Sequence, residues 1–130
     1  MNPVSVGIKS VIDHRGVTSI AEMESCIPFK VKRTFWVTGV PEGCERGGHA
    51  HHTTEEVVFC LQGQISVEFD DGKHKDYRVL FNPGEGLYLP PKVWRTLRYT
   101  SDAIALVMAS EKYKPEDYIN SYEQFKGEVK

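Results

Sequence analysis

The sequence has no run of about 18 apolar residues, so a membrane-spanning helix is not expected. Its first residues, MNPVSVGIKSVIDHRG, lack a basic stretch followed by an apolar core, so a signal peptide is not expected either. Cysteine is scarce. Cys26, Cys44 and Cys60 are odd in number and irregular in spacing, which argues against a disulfide framework and for a reduced, cytoplasmic setting. Neither sign of charge dominates: 16 Lys and Arg against 18 Asp and Glu leave a net charge of −2. Nucleic acid and anionic membrane surfaces are therefore not expected partners. An anionic ligand must be drawn in by local arginines.

What is present is a globular composition, 40% hydrophobic and 26% charged. A chain of 130 residues buries about two-thirds of the surface its extended form exposes. No linker, internal repeat or low-complexity segment interrupts it, so residues 1–130 read as one domain.

Short strand-like runs recur at 5–12, 31–38, 56–61, 64–69, 75–80, 86–89, 96–99 and 103–109. Ile65, Val67 and Phe69 alternate with polar residues, and Asp70-Asp71-Gly72 follows as a hairpin turn. Gln62-Gly63 and Asn82-Pro83-Gly84 mark two further breaks. This spacing predicts an all-β antiparallel sandwich or barrel rather than a parallel sheet with crossover helices. The tail differs. Pro115 suits a first helical turn, Glu116 and Asp117 suit its positive end, and Tyr118, Ile119, Tyr122 and Phe125 recur at helical spacing. A short C-terminal helix is expected there, its aromatic stripe covering an open end or edge of the barrel.

The chemistry concentrates in Gly43-x5-His49-Ala50-His51-x4-Glu56-x6-Gly63. On a strand, residues two apart share a face, so His49 and His51 look together into whatever the sheet encloses. Two adjacent imidazoles hold a metal or move protons. His52 is expected to face the other way, into solvent, and His14 and His74 to lie on the surface. Cys44 is a nearby sulfur, more simply read as a small loop residue.

This pattern resembles the first motif of the cupin fold, a jelly-roll (RmlC-like) antiparallel barrel. Gly84 and Pro90 match the second cupin motif, but Arg95 stands at its histidine position and Tyr99 at its asparagine position. A guanidinium cannot ligate a cation and repels one by its fixed charge. His49, His51 and Glu56 are a formal three-ligand set, yet Arg95 argues against a metal, and none is expected. A register slip that turned Arg95 outward would remove that objection.

More specifically, the chain resembles the dTDP-4-keto-6-deoxyhexose 3,4-ketoisomerases, the WxcM-like sugar ketoisomerases. The resemblance is carried by Asp13-x-Arg15-Gly16, Ile27-Pro28-Phe29-x-Val31-Lys32-Arg33, Arg46-Gly47-x-His49-Ala50-His51 and Asp70-Asp71-Gly72. It continues through Gly86-Leu87-Tyr88-Leu89-Pro90-Pro91-x-Val93-Trp94, Leu106-Val107-x-Ala109-Ser110, Tyr113 and Asp117-Tyr118-Ile119. It implies a cofactor-free, metal-free isomerase and a homodimer that exchanges an N-terminal strand. The implied reaction moves a keto group from C4 to C3 of a dTDP-linked 4-keto-6-deoxyhexose through an enediol.

Imidazole, with an ordinary pKa of ~6.5, takes and gives protons near neutrality. His51 is the expected base at carbon and His49 the group handling the oxygen proton. Arg15, Arg33 and Arg46 are candidate contacts to the diphosphate and enediolate, since a planar fork pairs two oxygens. Tyr88 and Trp94 are candidates to flank thymine or sugar, and Arg95 completes the substrate-binding set. The chain departs from some family members at Phe35, where they carry a tyrosine, and at Arg95, where they carry a histidine. A 3- or 3,5-epimerase of the same sugar, or a non-catalytic dTDP-sugar-binding domain, are the alternatives.

Overall fold

The structure is a computed structural model describing residues 2–129. Twelve strands are present among these: β1 (Val4–Gly7), β2 (Lys9–Asp13), β3 (Gly16–Ile20), β4 (Arg33–Val37), β5 (Glu45–His51) and β6 (Glu56–Gln62) come first. β7 (Ile65–Asp70), β8 (Lys75–Leu80), β9 (Glu85–Leu89), β10 (Trp94–Tyr99), β11 (Ile104–Ala109) and β12 (Tyr118–Ile119) follow, and helix α1 (Tyr122–Glu128) closes the chain. One sheet has the order β1-β9-β6-β11-β4 and the other β12-β5-β10-β7-β8, all neighbours antiparallel. β2 and β3 form a separate hairpin.

The two sheets face each other as the expected jelly roll. Val58, Cys60, Leu87, Leu89 and Val107 from the first meet Ile65, Val67, Phe69, Leu97 and Tyr99 from the second. Each large aliphatic enclosed here contributes about 1.5–3 kcal/mol. The predicted alternation of β7 is seen directly, with Ile65, Val67 and Phe69 inward and Ser66 and Glu68 outward. A second cluster, Val6, Ile27, Val57, Phe59, Tyr88 and Met108, forms where the segment before β4 packs on the outer face of the first sheet.

Two expectations change. The run 5–12 breaks at Ile8, whose N–H donates to the Gly84 carbonyl at 2.9 Å, and the chain then leaves the barrel as the β2–β3 hairpin. The tail ends in the expected short helix, but that helix starts later than Pro115. Pro115–Asp117 makes a single 3₁₀ turn, Tyr118 and Ile119 then pair with His51 and Ala50, and α1 begins only after Ser121, whose Oγ accepts from Gln124 N at 3.2 Å. The physical reason is the Asp117 carboxylate. It accepts hydrogen bonds from the N–H and hydroxyl of both Thr53 and Thr54, tying the chain to the β5–β6 loop and forcing it extended. Ile119, Ala50 and Phe125 then pack with Trp94, so α1 covers the outer face of the second sheet.

One irregularity decides which side chains face inward. Along β5, His49 pairs with Arg95 but Gly47 pairs with Thr96, leaving Gly48 as the extra residue of a bulge. The slip reverses the alternation, so Arg46 lies opposite the inward-facing Leu97 and shares the interior with His49. Gly47 and Gly48 both have positive φ, 85° and 68°, a conformation glycine adopts without cost. A Cβ on Gly47 would lie 2.8 Å from the Arg95 carbonyl oxygen, whereas one on Gly48 would meet nothing within 4 Å. Gly47→Ala is therefore expected to cost about 2–3 kcal/mol in denaturant unfolding and Gly48→Ala about 1 kcal/mol. Equal losses would show that the close approach at Gly47 is relaxed without cost.

Candidate active site

A cavity of about 280 Å³ opens between the sheets, lined by Arg46, Gly47, His49, Glu56, Arg95, Tyr99 and Tyr118 together with Phe35, Val37, Val58, Leu89, Leu97 and Val107. Its polar groups come mainly from β5, β10 and β12. Its apolar wall comes mainly from β4, β6, β9 and β11. A wider groove of about 370 Å³ lies on the outer face of the second sheet, between Trp94 and Tyr122. Glu68, Asp70 and Asp76 line that groove and no histidine does, so the cavity that holds His49 and Arg95 is the candidate site.

Arg95 forms the cavity floor. It is 1% exposed, and its Nη1 donates to Glu56 Oε1 at 2.7 Å. Its Nε donates to the Val93 carbonyl at 3.1 Å and its Nη2 to the Pro90 carbonyl at 3.4 Å. The guanidinium therefore braces the turn between β9 and β10. That turn carries Lys92 at φ 62°, a left-handed conformation costing a side-chain-bearing residue roughly 1–2 kcal/mol. Of five guanidinium N–H groups, two are left for a ligand. Burial pushes the Glu56 carboxyl up and the Arg95 guanidinium down, and the charge of each opposes the shift of the other.

The histidines sit beside this charge. The rings of His49 and His51 are 4.8 Å apart and nearly perpendicular, as their shared face requires. Tyr118, held opposite His51 by the β5–β12 pairing, places its ring 4.9 Å from His49 and 4.6 Å from His51. Burial, reinforced by Arg95, lowers His49 from 6.5 to about 4. The same two causes, joined by His49, lower His51 to about 2. Both rings are neutral at physiological pH. His49 is half-buried and lines the cavity; His51 is fully enclosed, and neither of its nitrogens has a hydrogen-bond partner.

Among the expected residues, the structure brings His49, His51, Arg46 and Arg95 together. Arg33 is half-buried, stacked over Phe35 at 5.3 Å and near Tyr113 at 5.7 Å, with its Nε unpartnered. Tyr88 and Trp94 do not line the cavity. Tyr88 alternates with the inward Leu87 and Leu89, packs on Phe29 and donates to Glu55 Oε1 at 2.6 Å. Trp94 precedes the inward Arg95, so it points outward against Tyr122 and Phe125. Arg15 sits in the β2–β3 turn, paired with Asp13 at 2.8 Å and 78% exposed, and does not line its own chain's cavity. His14 and His74 are on the surface as expected, but His52 is half-buried with its Nδ1 3.4 Å from Glu128. Cys44 is an exposed loop thiol.

Tyr118 was not among the expected site residues, because the tail was read as helical. The only local signal is the adjacent pair Tyr118-Ile119, two residues of high strand propensity. Among the described residues no group of three His, Cys, Asp or Glu side chains is arranged to hold a metal ion. The carboxylate that would complete such a set, Glu56, is committed to Arg95.

Comparison with known proteins matches this arrangement to a family. The family model described as FdtA, WxcM-like, C-terminal, covers residues 1–130. The chain belongs to that family. It is 37% identical over 122 residues to a TDP-4-oxo-6-deoxy-alpha-D-glucose-3,4-oxoisomerase of Aneurinibacillus thermoaerophilus, covering 93% of this chain and 88% of that one. The crystal structure of QdtA, a sugar 3,4-ketoisomerase from Thermoanaerobacterium thermosaccharolyticum solved with TDP, superimposes with a TM-score of 0.95 at 32% identity over 98% of this chain and 94% of that one. A histidine-to-asparagine variant of QdtA, solved with TDP-4-keto-6-deoxyglucose, is equally similar, with a TM-score of 0.95 at 31% identity and the same coverage. The family is one of isomerases with the cupin fold.

The histidine shifts carry a consequence for stability. Both folded-state values lie below 6.5, so between pH about 6.5 and 4 the unfolded chain binds more protons than the folded one, and stability rises with pH. The Tm should fall steadily from pH 7.5 to 4.5 and do so less steeply in the His49→Asn/His51→Asn double variant. Identical slopes in calorimetry would show that these rings do not carry the acid sensitivity.

Proposed function

We propose that this protein is a nucleotide-sugar 3,4-ketoisomerase acting on a dTDP-linked 4-keto-6-deoxyhexose, in the cytoplasm and without a metal. The observation that carries the reading is a neutral imidazole, His49, facing a cavity between the sheets whose floor is the fixed positive charge of Arg95. A proton on the carbon beside a ketone is acidic only if the developing enediolate is stabilised. Arg95 and Arg46 supply oriented N–H groups in a site shielded from water, where such groups act most strongly. The named activities of the relatives support the substrate class.

The exposure of His49 to the cavity, against the full enclosure of His51, supports His49 as the base in place of the His51 expected from sequence. His49 lines the cavity, so it is the base that removes the C3 proton and, after exchange with solvent, delivers a proton to C4. His51, enclosed behind it, sets the environment of His49 and Tyr118. Arg33 and Arg46 are the chain's own contacts for the diphosphate and sugar oxygens. A guanidinium at the place of the third histidine and a Glu56 already engaged by it support the metal-free reading.

Incubation with dTDP-4-keto-6-deoxyglucose in deuterium oxide should give a 3-keto product, read by NMR, with deuterium at C4. Label at C3 and C5 of a 4-keto product would instead identify a 3,5-epimerase, and binding without exchange a non-catalytic domain. His49→Asn should lower kcat by at least ~100-fold. The acid limb of kcat/KM should lie near pH 4, the His49 value in the free protein, rather than near 6.5. Wild-type turnover in His49→Asn would sink this assignment.

The reading includes a homodimer. Among the described residues the β2–β3 hairpin pairs only with itself, and it exposes Val11, Ile12 and Val17 at 47%, 74% and 62%. Such an arm suits a second copy. Arg15, at its tip and outside its own cavity, then serves the partner's substrate. Sedimentation should give about twice the chain mass of 14.8 kDa, with Ile12→Glu shifting the protein to monomer; a monomeric wild type would refute the arrangement.

A further inference from the structure

Moving a ketone from C4 to C3 requires two proton transfers at carbon and two at oxygen. His49 accounts for the carbon pair. The oxygen pair needs a group that gives a proton to O4 and takes one from O3, and these oxygens are neighbours on the ring, so one hydroxyl can reach both. Phe35, on the opposite wall, has no hydroxyl. Two phenols line the cavity, Tyr99 and Tyr118. Tyr99 lies four residues along β10 from Arg95, roughly 13 Å away at strand rise, on the far side from the histidines. Tyr118 is within 5 Å of both imidazole rings.

Resting on the ketoisomerase reading, we infer that Tyr118 is the catalytic residue that carries the oxygen-side proton, and that Asp117 is the positioning residue that aims it. In the first half, the C3–H bond breaks toward the His49 nitrogen. Its electron pair forms the C3=C4 double bond, and the former carbonyl oxygen at C4 takes the Tyr118 hydroxyl proton. This leaves a neutral enediol, an imidazolium and a phenolate. In the second half, the phenolate takes the O3 proton, C3–O becomes the carbonyl, and the C3=C4 pair accepts the His49 proton at C4. Both side chains return to their starting state, and no oxidant or co-reactant is needed. The phenolate forms within the electrostatic reach of Arg95, which stabilises it in a poorly solvated site.

The aiming is physical. A two-residue strand at a sheet edge has too few ladder hydrogen bonds to hold a register by itself. Asp117 supplies the missing restraint: its two carboxylate oxygens accept four hydrogen bonds from Thr53 and Thr54, and its own carbonyl accepts from His52 N at 2.8 Å. Thr53 and Thr54 immediately follow the histidine strand. The clamp therefore locks Tyr118 to His51 in register, placing the phenol on the same face as both imidazoles.

The test is Tyr118→Phe, which removes one oxygen and keeps the ring packing. With the wild type established as active by the NMR assay, Tyr118→Phe should keep its Tm and hold KM within about threefold, yet lose at least ~100-fold in kcat. Asp117→Asn should lower kcat about tenfold when Tyr118 is present and less than twofold in the Tyr118→Phe background, because a residue acting through the phenol has nothing left to position. An active wild type with Tyr118→Phe near wild-type kcat overturns the inference while leaving the ketoisomerase reading intact. Equal kcat factors for Asp117→Asn in both backgrounds overturn the positioning role. An inactive wild type overturns the reading on which both rest.

Discussion

The site depends on a buried ion pair. Arg95 and Glu56 are 1% and 6% exposed, and enclosing two such charges is unfavourable unless each is fully engaged. Here the guanidinium meets a carboxylate and two turn carbonyls, so the pair ties β6, β10 and the β9–β10 turn into one rigid floor. That floor determines the rest. It holds a positive charge where a metal-binding relative of this fold would place a third imidazole. Its charge also adds to burial in keeping the neighbouring histidines unprotonated, and two guanidinium N–H groups remain outside these bonds. Removing either partner would strand the other charge, which is why the pair behaves as a unit.

The remaining walls are assembled by departures from regular sheet geometry. A strict alternation along β5 would send Arg46 outward; the Gly47–Gly48 bulge turns it in. A sheet ending at β5 would leave His51 at an open edge; β12 covers it and adds a phenol. Both devices sit at the two ends of the same histidine strand, and both rely on local restraints rather than burial of large apolar surface. The core between the sheets supplies stability, and the irregular edge supplies chemistry.

Much of this was legible in the sequence, and the failures have identifiable causes. The His-x-His spacing placed both rings on one face, and the arginine at the expected histidine position lies inward on β10, lining the same cavity. The same parity argument, carried one residue further, puts Trp94 outside because Arg95 is inside, and Tyr88 outside because Leu87 and Leu89 are inside. Tyr118 was missed for a different reason. Tyr118, Ile119, Tyr122 and Phe125 fit a helical stripe, and only the long-range hold of Asp117 on Thr53 and Thr54 makes the first two extended. Tertiary hydrogen bonding overrode local periodicity. The hairpin arm was hidden within a run read as a single strand, because its Val11, Ile12 and Val17 look like core residues until the fold shows them exposed.

The distribution of groups around the cavity bears on which keto-sugar reaction this chain suits. Inverting a carbon centre requires a base on one face of the ring and an acid on the other. Within this chain the acid–base groups His49, His51 and Tyr118 crowd one end of the second sheet, while the opposing wall offers Phe35, Val37, Val58, Leu89 and Val107. A proton taken from such a site returns from the side on which it left. Same-face return cannot epimerise the carbon it came from, but it can transfer hydrogen to the adjacent one. With the positive charge of Arg95 lining the same cavity, the adjacent-carbon transfer is the outcome that this one-sided placement favours over epimerisation.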